Sequence, residues 1–180
     1  MRRKQGFTLI ELLMSVMLFA ILIGTAGITF IVILRESSSA QIRSSLRQDA
    51  IMAIERLSRE LNEAEEITSA QSNSVTFWWQ DTDGDGVRDS AELVTFSWDG
   101  SAGTALKRDT ASLAFNVENF QVSYSNLNNS SLSPSPDLSL VARDSIRRLD
   151  ILLKLSDRDE SITLVTAIIP RNLRQVRGPW

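Results

Sequence analysis

The chain has 180 residues, which suits one globular domain with one appended element. Its formal net charge of −3 gives no reason to expect nucleic acid as a direct ligand. It contains no cysteine and no histidine, which excludes disulfides and cysteine-ligated metals and removes the commonest general base. No nucleophile–base arrangement or phosphate-binding glycine loop is visible, so we expect no enzyme, although carboxylates or a Ser/Lys pair could still support one.

The N-terminal segment combines a basic start with a long apolar run. Arg2, Arg3 and Lys4 come first, and from there to Leu34 the only other ionisable side chain is Glu11. The uncharged stretch that follows is long enough to cross a bilayer as a helix, which takes about 20 residues. The preceding cations predict a cytoplasmic N-terminus and an exported remainder.

Two simpler interpretations compete for this segment. A cleaved secretory signal would use the small residues 24–26, but the apolar run continues to Leu34, past such a cut. A plain single-span anchor explains the length but not Glu11, because a carboxylate in a membrane helix is costly without a partner.

The local string in residues 4–13 (KQGFTLIELL) resembles the prepilin signature of the type IV pilin-like family. The resemblance implies that a membrane-embedded aspartyl peptidase cleaves after Gly6 and that the new N-terminus, Phe7, is methylated. It also implies that Glu11, at the fifth mature position, neutralises the Phe7 amine of a neighbouring subunit. Physics agrees with that role, since neither a carboxylate nor an ammonium tolerates burial alone in a low dielectric.

One long helix is predicted to follow the leader. No glycine or proline occurs between Gly27 and Gly84, and apolar residues recur at spacings of three and four along residues 36–66. That stripe consists of Ile42, Leu46, Ala50, Ala53, Ile54, Leu57, Leu61 and Ala64. We therefore predict a leader at 1–6, a transmembrane and assembly half at 7–34, and an amphipathic half at 35–66.

The remainder, residues 67–180, is predicted to form a β-rich head. Segments rich in β-branched and aromatic residues predict strands at 75–79, 93–98, 115–124, 146–156 and 162–169, the last two joined as a hairpin. Residues 126–136, polar with two prolines, predict a mobile surface loop. The fold class is α+β, a pilin-like long helix laid across an antiparallel sheet.

Aromatic residues concentrate in the first two predicted strands. Core and cross-strand packing is favoured over a binding platform for Phe77, Trp78, Trp79, Phe96 and Trp98. Because Trp78 and Trp79 are adjacent, they should face opposite sides of a strand, and one is a candidate contact to another subunit.

Residues 81–92 (DTDGDGVRDSAE) have the ligand spacing of a calcium loop of the EF-hand type. The predicted ligands are Asp81, Asp83, Asp85, the Val87 carbonyl, Asp89 and Glu92, with Gly86 at the sharp turn. The alternative is an acidic solvated turn without a cation. The flanks do not suggest two EF-hand helices, so we expect a loop between strands in which calcium has a local stabilising role.

Beyond residue 34 the chain resembles the J-type minor pseudopilins of type II secretion and the W-type minor pilins of type IV pili. The resemblance rests on residues 53–61, on 105–108 with 116–122, and on 168–172. The presence of Glu11 separates the chain from the K-type tip pseudopilins, which lack that acid. The resemblance implies a small complex at the filament tip that primes assembly.

The sequence thus predicts a structural filament subunit with no catalysis, anchored in the inner membrane with a periplasmic head. Its expected partners are other pilins or pseudopilins, the prepilin peptidase, the inner membrane and the assembly machinery. The main alternative is a calcium-dependent tip adhesin or binding module on the same anchor, using the loops 81–92 and 126–136.

Overall fold

The computed structural model of the protein describes residues 8–171 and residue 173. The chain divides into two compact units, residues 1–41 and 42–180. A single helix, α1 (Leu9–Glu63), begins in the first unit and ends in the second. The continuous long helix predicted from the sequence is therefore confirmed over the described residues.

In the first unit the apolar side chains of α1 have no cover within the described chain. From Leu9, 80% exposed, to Leu34, 54% exposed, these large side chains face outward. By length and composition α1 is able to cross a membrane, and no other helix of the described chain is. Exposure of this kind is stable only in lipid or against other proteins.

In the second unit α1 buries the apolar stripe predicted from its sequence. Leu46, Ala50, Ala53, Leu57 and Leu61 are buried, at spacings that place them on one side of the helix. The helix ends at Glu63, three residues before the predicted end. The next residues already belong to the sheet, since the Glu65 N–H donates to the Trp78 carbonyl at 2.9 Å.

One antiparallel sheet forms the head, and its strands follow the chain in order. The strands are β1 (Glu66–Ala70), β2 (Ser74–Trp78), β3 (Leu93–Ser97), β4 (Thr104–Arg108), β5 (Ala111–Ser125), β6 (Ser131–Leu132), β7 (Arg148–Asp157) and β8 (Glu160–Ile168), with a short helix α2 (Leu140–Asp144) before β7. The order across the sheet is β1-β2-β3-β4-β5-β7-β8, and β6 pairs beside β5. The predicted α+β architecture, a long helix packed on an antiparallel sheet, is confirmed.

The sequence pattern did not predict four short elements, which are β1, β4, β6 and α2. β1 and β4 are as long as β2 and β3 but contain no aromatic residue, so their composition does not mark them as strands. The two residues of β6 and the five of α2 are too few to show a period. The segment of β4 was noted only through its resemblance to a middle strand. The loop at 126–136 lies at the surface as predicted but contains β6, which pairs with the end of β5; its predicted mobility is untested.

The core lies between the inner face of the sheet and residues 42–63 of α1. Phe77 and Phe96 stack with ring centroids 6.0 Å apart and planes at 11°. Trp98 lies in the same core and the half-buried Trp79 packs against it, as favoured. Trp78 is buried outside this core, where its indole N–H donates to Glu92. The Tyr124 hydroxyl is buried and donates to the Gln71 carbonyl at 2.8 Å.

Candidate functional site

Glu11 lies in the first turn of α1 and is exposed. Its backbone N–H donates to the Thr8 carbonyl at 3.1 Å, and its own carbonyl accepts the Ser15 hydroxyl at 2.7 Å. The local backbone is thus satisfied within the helix, and the carboxylate projects from a surface that is otherwise apolar. Gly6 and Phe7, the predicted processing residues, lie outside the described residues.

Hydroxyl groups in the same apolar stretch find hydrogen-bond acceptors within their own helix, unlike the Glu11 carboxylate. The Thr25 hydroxyl donates to the Ile21 and Leu22 carbonyls, at 3.1 and 3.0 Å, and the Thr29 hydroxyl to the Thr25 carbonyl at 3.0 Å. Such back-bonding satisfies a hydroxyl inside its own helix. A carboxylate has no donor of its own to return to the helix, so Glu11 needs an outside partner.

The acidic loop links β2 to β3. Asp81, Asp83 and Asp85 each bring a carboxylate oxygen to within 4.8 Å of the others, a grouping able to hold a metal ion. The Asp81 carboxylate accepts hydrogen bonds from the Gly84 and Gly86 N–H groups at 2.8 and 2.9 Å. Its two oxygens therefore hold the loop in a turn around the carboxylate. The structure therefore brings together the first three predicted ligands.

Glycine is required by the backbone at the middle of this loop. Gly84 and Gly86 have φ angles of 76° and 71°, in the left-handed region that side chains disfavour. Nothing lies within 4 Å of an added Cβ at either position, so backbone conformation and not crowding explains the residue type. The turn at the sixth loop position, predicted for Gly86, is present.

The last predicted ligand, Glu92, is occupied by donors from the protein. It ends a single turn of 3-10 helix (Ser90–Glu92) and is only 7% exposed. Its carboxylate accepts the Trp78 indole N–H at 2.9 Å and the Thr82 backbone N–H at 2.5 Å, with a longer bond of 3.3 Å from Asp89 N–H. Glu92 thus joins both ends of the loop to β2, and the Glu92 and Asp89 carboxylates stand outside the three-aspartate group.

These contacts shift the acidity of two carboxyls in opposite directions. The Thr82 N–H, aided by those of Asp89 and Trp78, lowers the pKa of Glu92 despite partial burial and the charge of Asp81. For Asp83, the Asp85 N–H acts to lower the pKa, but desolvation, the charges of Asp85 and Glu92 and a hydrogen bond with Asp81 outweigh it, so the pKa of Asp83 is raised. The loop therefore carries uncompensated negative charge around Asp83.

Residues 1–27 match the family model described as the prokaryotic N-terminal methylation motif. The match includes Gly6, Phe7 and Glu11. It supports a type IV pilin-like protein. Such a protein is a structural subunit, generally not an enzyme, that is processed by a prepilin peptidase and assembles with other pilin subunits. No curated protein matches the chain.

The exposed apolar half of α1 fits this assignment, because a membrane-anchored pilin needs such a surface before and after assembly.

Sequence reasoning missed the structural role of Glu92, which appears only once β2 and β3 are paired. It also left open which tryptophan could meet another subunit. Trp79 is half-buried, donates to Glu63 at 3.0 Å and lies under the Arg108 guanidinium at 5.6 Å.

Proposed function

We propose that the chain is a minor pilin or pseudopilin, a non-catalytic subunit of a type IV pilus-like filament. The observation that carries the proposal is Glu11, the single carboxylate in the exposed apolar half of α1, within a methylation motif. Cleavage after Gly6 would leave the Phe7 amine four residues before it. One chain then carries one cation and one anion close together at the end of its apolar helix.

Charge balance between subunits follows from that arrangement. In a helix bundle immersed in lipid, an isolated Glu11 costs several kcal/mol, and the Phe7 ammonium of a neighbour removes most of that cost. The pair would set the axial register of adjacent subunits, while the exposed side chains between Leu9 and Leu34 provide the packing surface. The resemblance to J-type and W-type subunits adds the proposal of a tip complex that primes assembly.

The proposed location is the inner membrane, with the N-terminus cytoplasmic and the head periplasmic, followed by transfer into the filament. The three cations before Gly6 support this orientation. The intact mass of the protein from its native membranes tests the processing step. We expect the mass of residues 7–180 plus one methyl group; an uncut chain or a cut after Ala26 would refute the proposal.

Substitution of Glu11 by glutamine tests the assembly step. Glu11→Gln keeps the shape but removes the charge, so we expect normal cleavage after Gly6 and at least about tenfold less chain in purified filaments, since the charged pair is lost. Thr25→Val is the matched control, because its hydroxyl bonds only to its own helix among the described contacts. Equal incorporation of both variants would contradict the role of Glu11.

We also propose that the loop of residues 81–92 binds calcium and that the ion stabilises the β2–β3 connection. Support comes from the three grouped aspartates, from the turn at Gly86, and from oxygen as the ligand type that calcium requires. Asp81, Asp83, Asp85 and the Val87 carbonyl would hold the ion, with Asp89 and Glu92 predicted to complete the set. Glu92 would have to exchange its present N–H donors to bind with both oxygens.

Calorimetry of the full-length chain in detergent tests the calcium site. We expect binding at or below millimolar calcium and, at tenfold excess over Kd, a gain in stability of about 1.4 kcal/mol. Asp83→Asn should abolish binding, whereas Asp159→Asn, an exposed acid in the β7–β8 turn, should not change it. No heat and no stabilisation in the unmodified chain would refute the site.

A further inference from the structure

The outer edge of β8 is open in the described part of the chain. β8 is last in the strand order and pairs with β7 over its full nine residues without a register shift. Among residues 8–171 and 173, no further backbone hydrogen bond reaches residues 161–168. Alternate residues of an edge strand direct their N–H and C=O groups outward, so β8 offers an unused ladder.

The opposite edge of the same sheet is covered at the Ala70 end of β1. The Asp137 carboxylate accepts the Ala70 N–H at 2.6 Å and the Ser69 hydroxyl at 3.0 Å, and the Leu138 N–H donates to the Ala70 carbonyl at 3.2 Å. The segment that leads into α2 therefore occupies the outer side of β1 at residues 69 and 70. The described part of the chain covers this end of one edge with its own residues and leaves the β8 edge available.

β8 also lacks the features that usually protect an exposed edge. From Ser161 to Ile169 it has no charged residue and no proline, and its ladder contains no bulge. Val165, in the middle of the strand, is 69% exposed. A long, regular and uncharged edge pairs readily with another extended chain, and proteins retain such an edge where pairing is used.

A groove beside this edge adds room for side chains. It has a volume of about 510 Å³ and lies between α1, at Ser58 and Asn62, and the end of β8. Residues 166–169 and Arg171 complete its lining. Among the described residues that line the groove, the cation Arg171 is the one that carries a charge.

We propose that the β8 edge receives an extended segment of a different pilin-like subunit, not a second copy of this chain, and that this segment adds a strand to the sheet. The segment is uncharged along residues 161–168, places small or aliphatic side chains in the groove beside α1, and carries a carboxylate where it meets Arg171. Backbone pairing supplies the affinity, and the groove with its cation supplies the selectivity. This inference rests on the proposed role as a filament subunit.

Two lysine substitutions in one row of the sheet separate edge pairing from a general effect of charge. Gln121 pairs with Leu152, and Leu152 pairs with Val165, so Gln121 and Val165 lie on the same outer face. Gln121 belongs to β5, two strands in from the open edge, whereas Val165 is at the edge itself. Val165→Lys therefore blocks the edge, and Gln121→Lys is the matched control.

Hydrogen–deuterium exchange on the full-length chain, alone in detergent and in isolated filaments, measures the pairing directly. In filaments we expect the outward amides of residues 161–168 to exchange at least about tenfold more slowly, as amides in a formed ladder do. Peptides from the loop 126–130 should not change. Val165→Lys and Arg171→Glu should each reduce recovery in filaments about fivefold or more relative to Gln121→Lys, with tryptophan fluorescence reporting an intact head.

The alternative occupants give different results, and each overturns the proposal. Protection already present in the isolated monomer and lost on removal of residues 174–180 would assign the edge to the chain's own C-terminus. Protection that grows with concentration of the isolated chain would assign it to a second copy. If the processed chain is present in filaments but its β8 amides are unprotected, strand addition is refuted and the filament role stands. If the chain is uncut and absent from filaments, the filament role itself is refuted.

Discussion

The contact between the end of α1 and the sheet depends on a buried ion pair that can be dissected by mutation. Glu60 has a side chain only 2% exposed, and Arg108 of β4, 19% exposed, donates to both of its oxygens at 2.8 and 3.1 Å. Arg56 donates to the same carboxylate at 3.0 Å from one turn away in α1. The pair joins residues 48 positions apart in sequence, so it forms only when the helix packs on the sheet.

Arg108→Met should destabilise the head more than any single exposed substitution. It leaves the buried Glu60 with Arg56 alone, whose side chain is 43% exposed. Removing one partner of a buried pair costs about 3–5 kcal/mol, and the remaining contact reduces the expected loss to about 2–4 kcal/mol. The stacking of Arg108 on Trp79 adds a loss of about 0.5–1 kcal/mol.

The double variant Glu60→Leu/Arg108→Met removes the charge together with its partner. It should lie within about 1 kcal/mol of the unmodified chain. With the single variant Glu60→Leu measured beside it and also destabilising, the cycle gives a coupling energy of about 1.5 kcal/mol or more. Urea denaturation of the full-length chain in detergent, followed by tryptophan fluorescence, measures the free energy of unfolding at constant m. If Arg108→Met costs less than about 0.5 kcal/mol, or if the two single effects simply add, the pair does not hold the helix to the sheet.

Three further predictions concern the core, the acidic loop and its pH dependence. Leu57→Ala, at a fully buried position, should cost about 3–5 kcal/mol in urea denaturation, against less than about 0.5 kcal/mol for Met52→Ala on the exposed side of α1; equal costs would contradict the packing described. Because the pKa of Glu92 is lowered in the folded protein, its contribution to stability is fully present above the ordinary value of 4.5 and is lost as the pH falls through the lower, folded value; thermal unfolding between about pH 6 and pH 3 should show this loss, and Glu92→Gln should flatten it. Gly86→Ala, at φ 71°, should weaken calcium binding about fivefold in calorimetry because the turn becomes strained by about 1 kcal/mol; Gly100→Ala, at φ 85° in a different turn, should leave the calcium affinity unchanged.

Much of the fold could be predicted because its signals are local. The apolar run, the single Glu11 and the helical stripe of residues 42–64 each depend on residues near one another in sequence, and the structure confirms the helix that they predict. Most of the strands were recognisable from β-branched and aromatic composition over five or more residues. β1, which has no aromatic residue, and β6, which has two residues, were not, since their strand character comes from pairing with β2 and β5.

The candidate sites divide in the same way. The processing motif and the spacing of Asp81, Asp83 and Asp85 can be read directly, because a leader and a tight loop are built from consecutive residues. The partners of Glu92 could not be, since Trp78 lies 14 residues away and reaches it only after β2 and β3 pair. A residue that fits the twelfth position of a calcium loop therefore also holds the loop to the sheet.

By itself the sequence determined a pilin-like N-terminus, a continuous helix with one apolar stripe, and an acidic loop between two strands. The tertiary structure decided that Glu60 is buried against Arg108, that Asp137 covers the β1 edge, and that the described chain leaves the β8 edge open. The physical reason is that burial and strand order arise from contacts between distant parts of the chain, whereas charge placement and periodicity are properties of neighbouring residues.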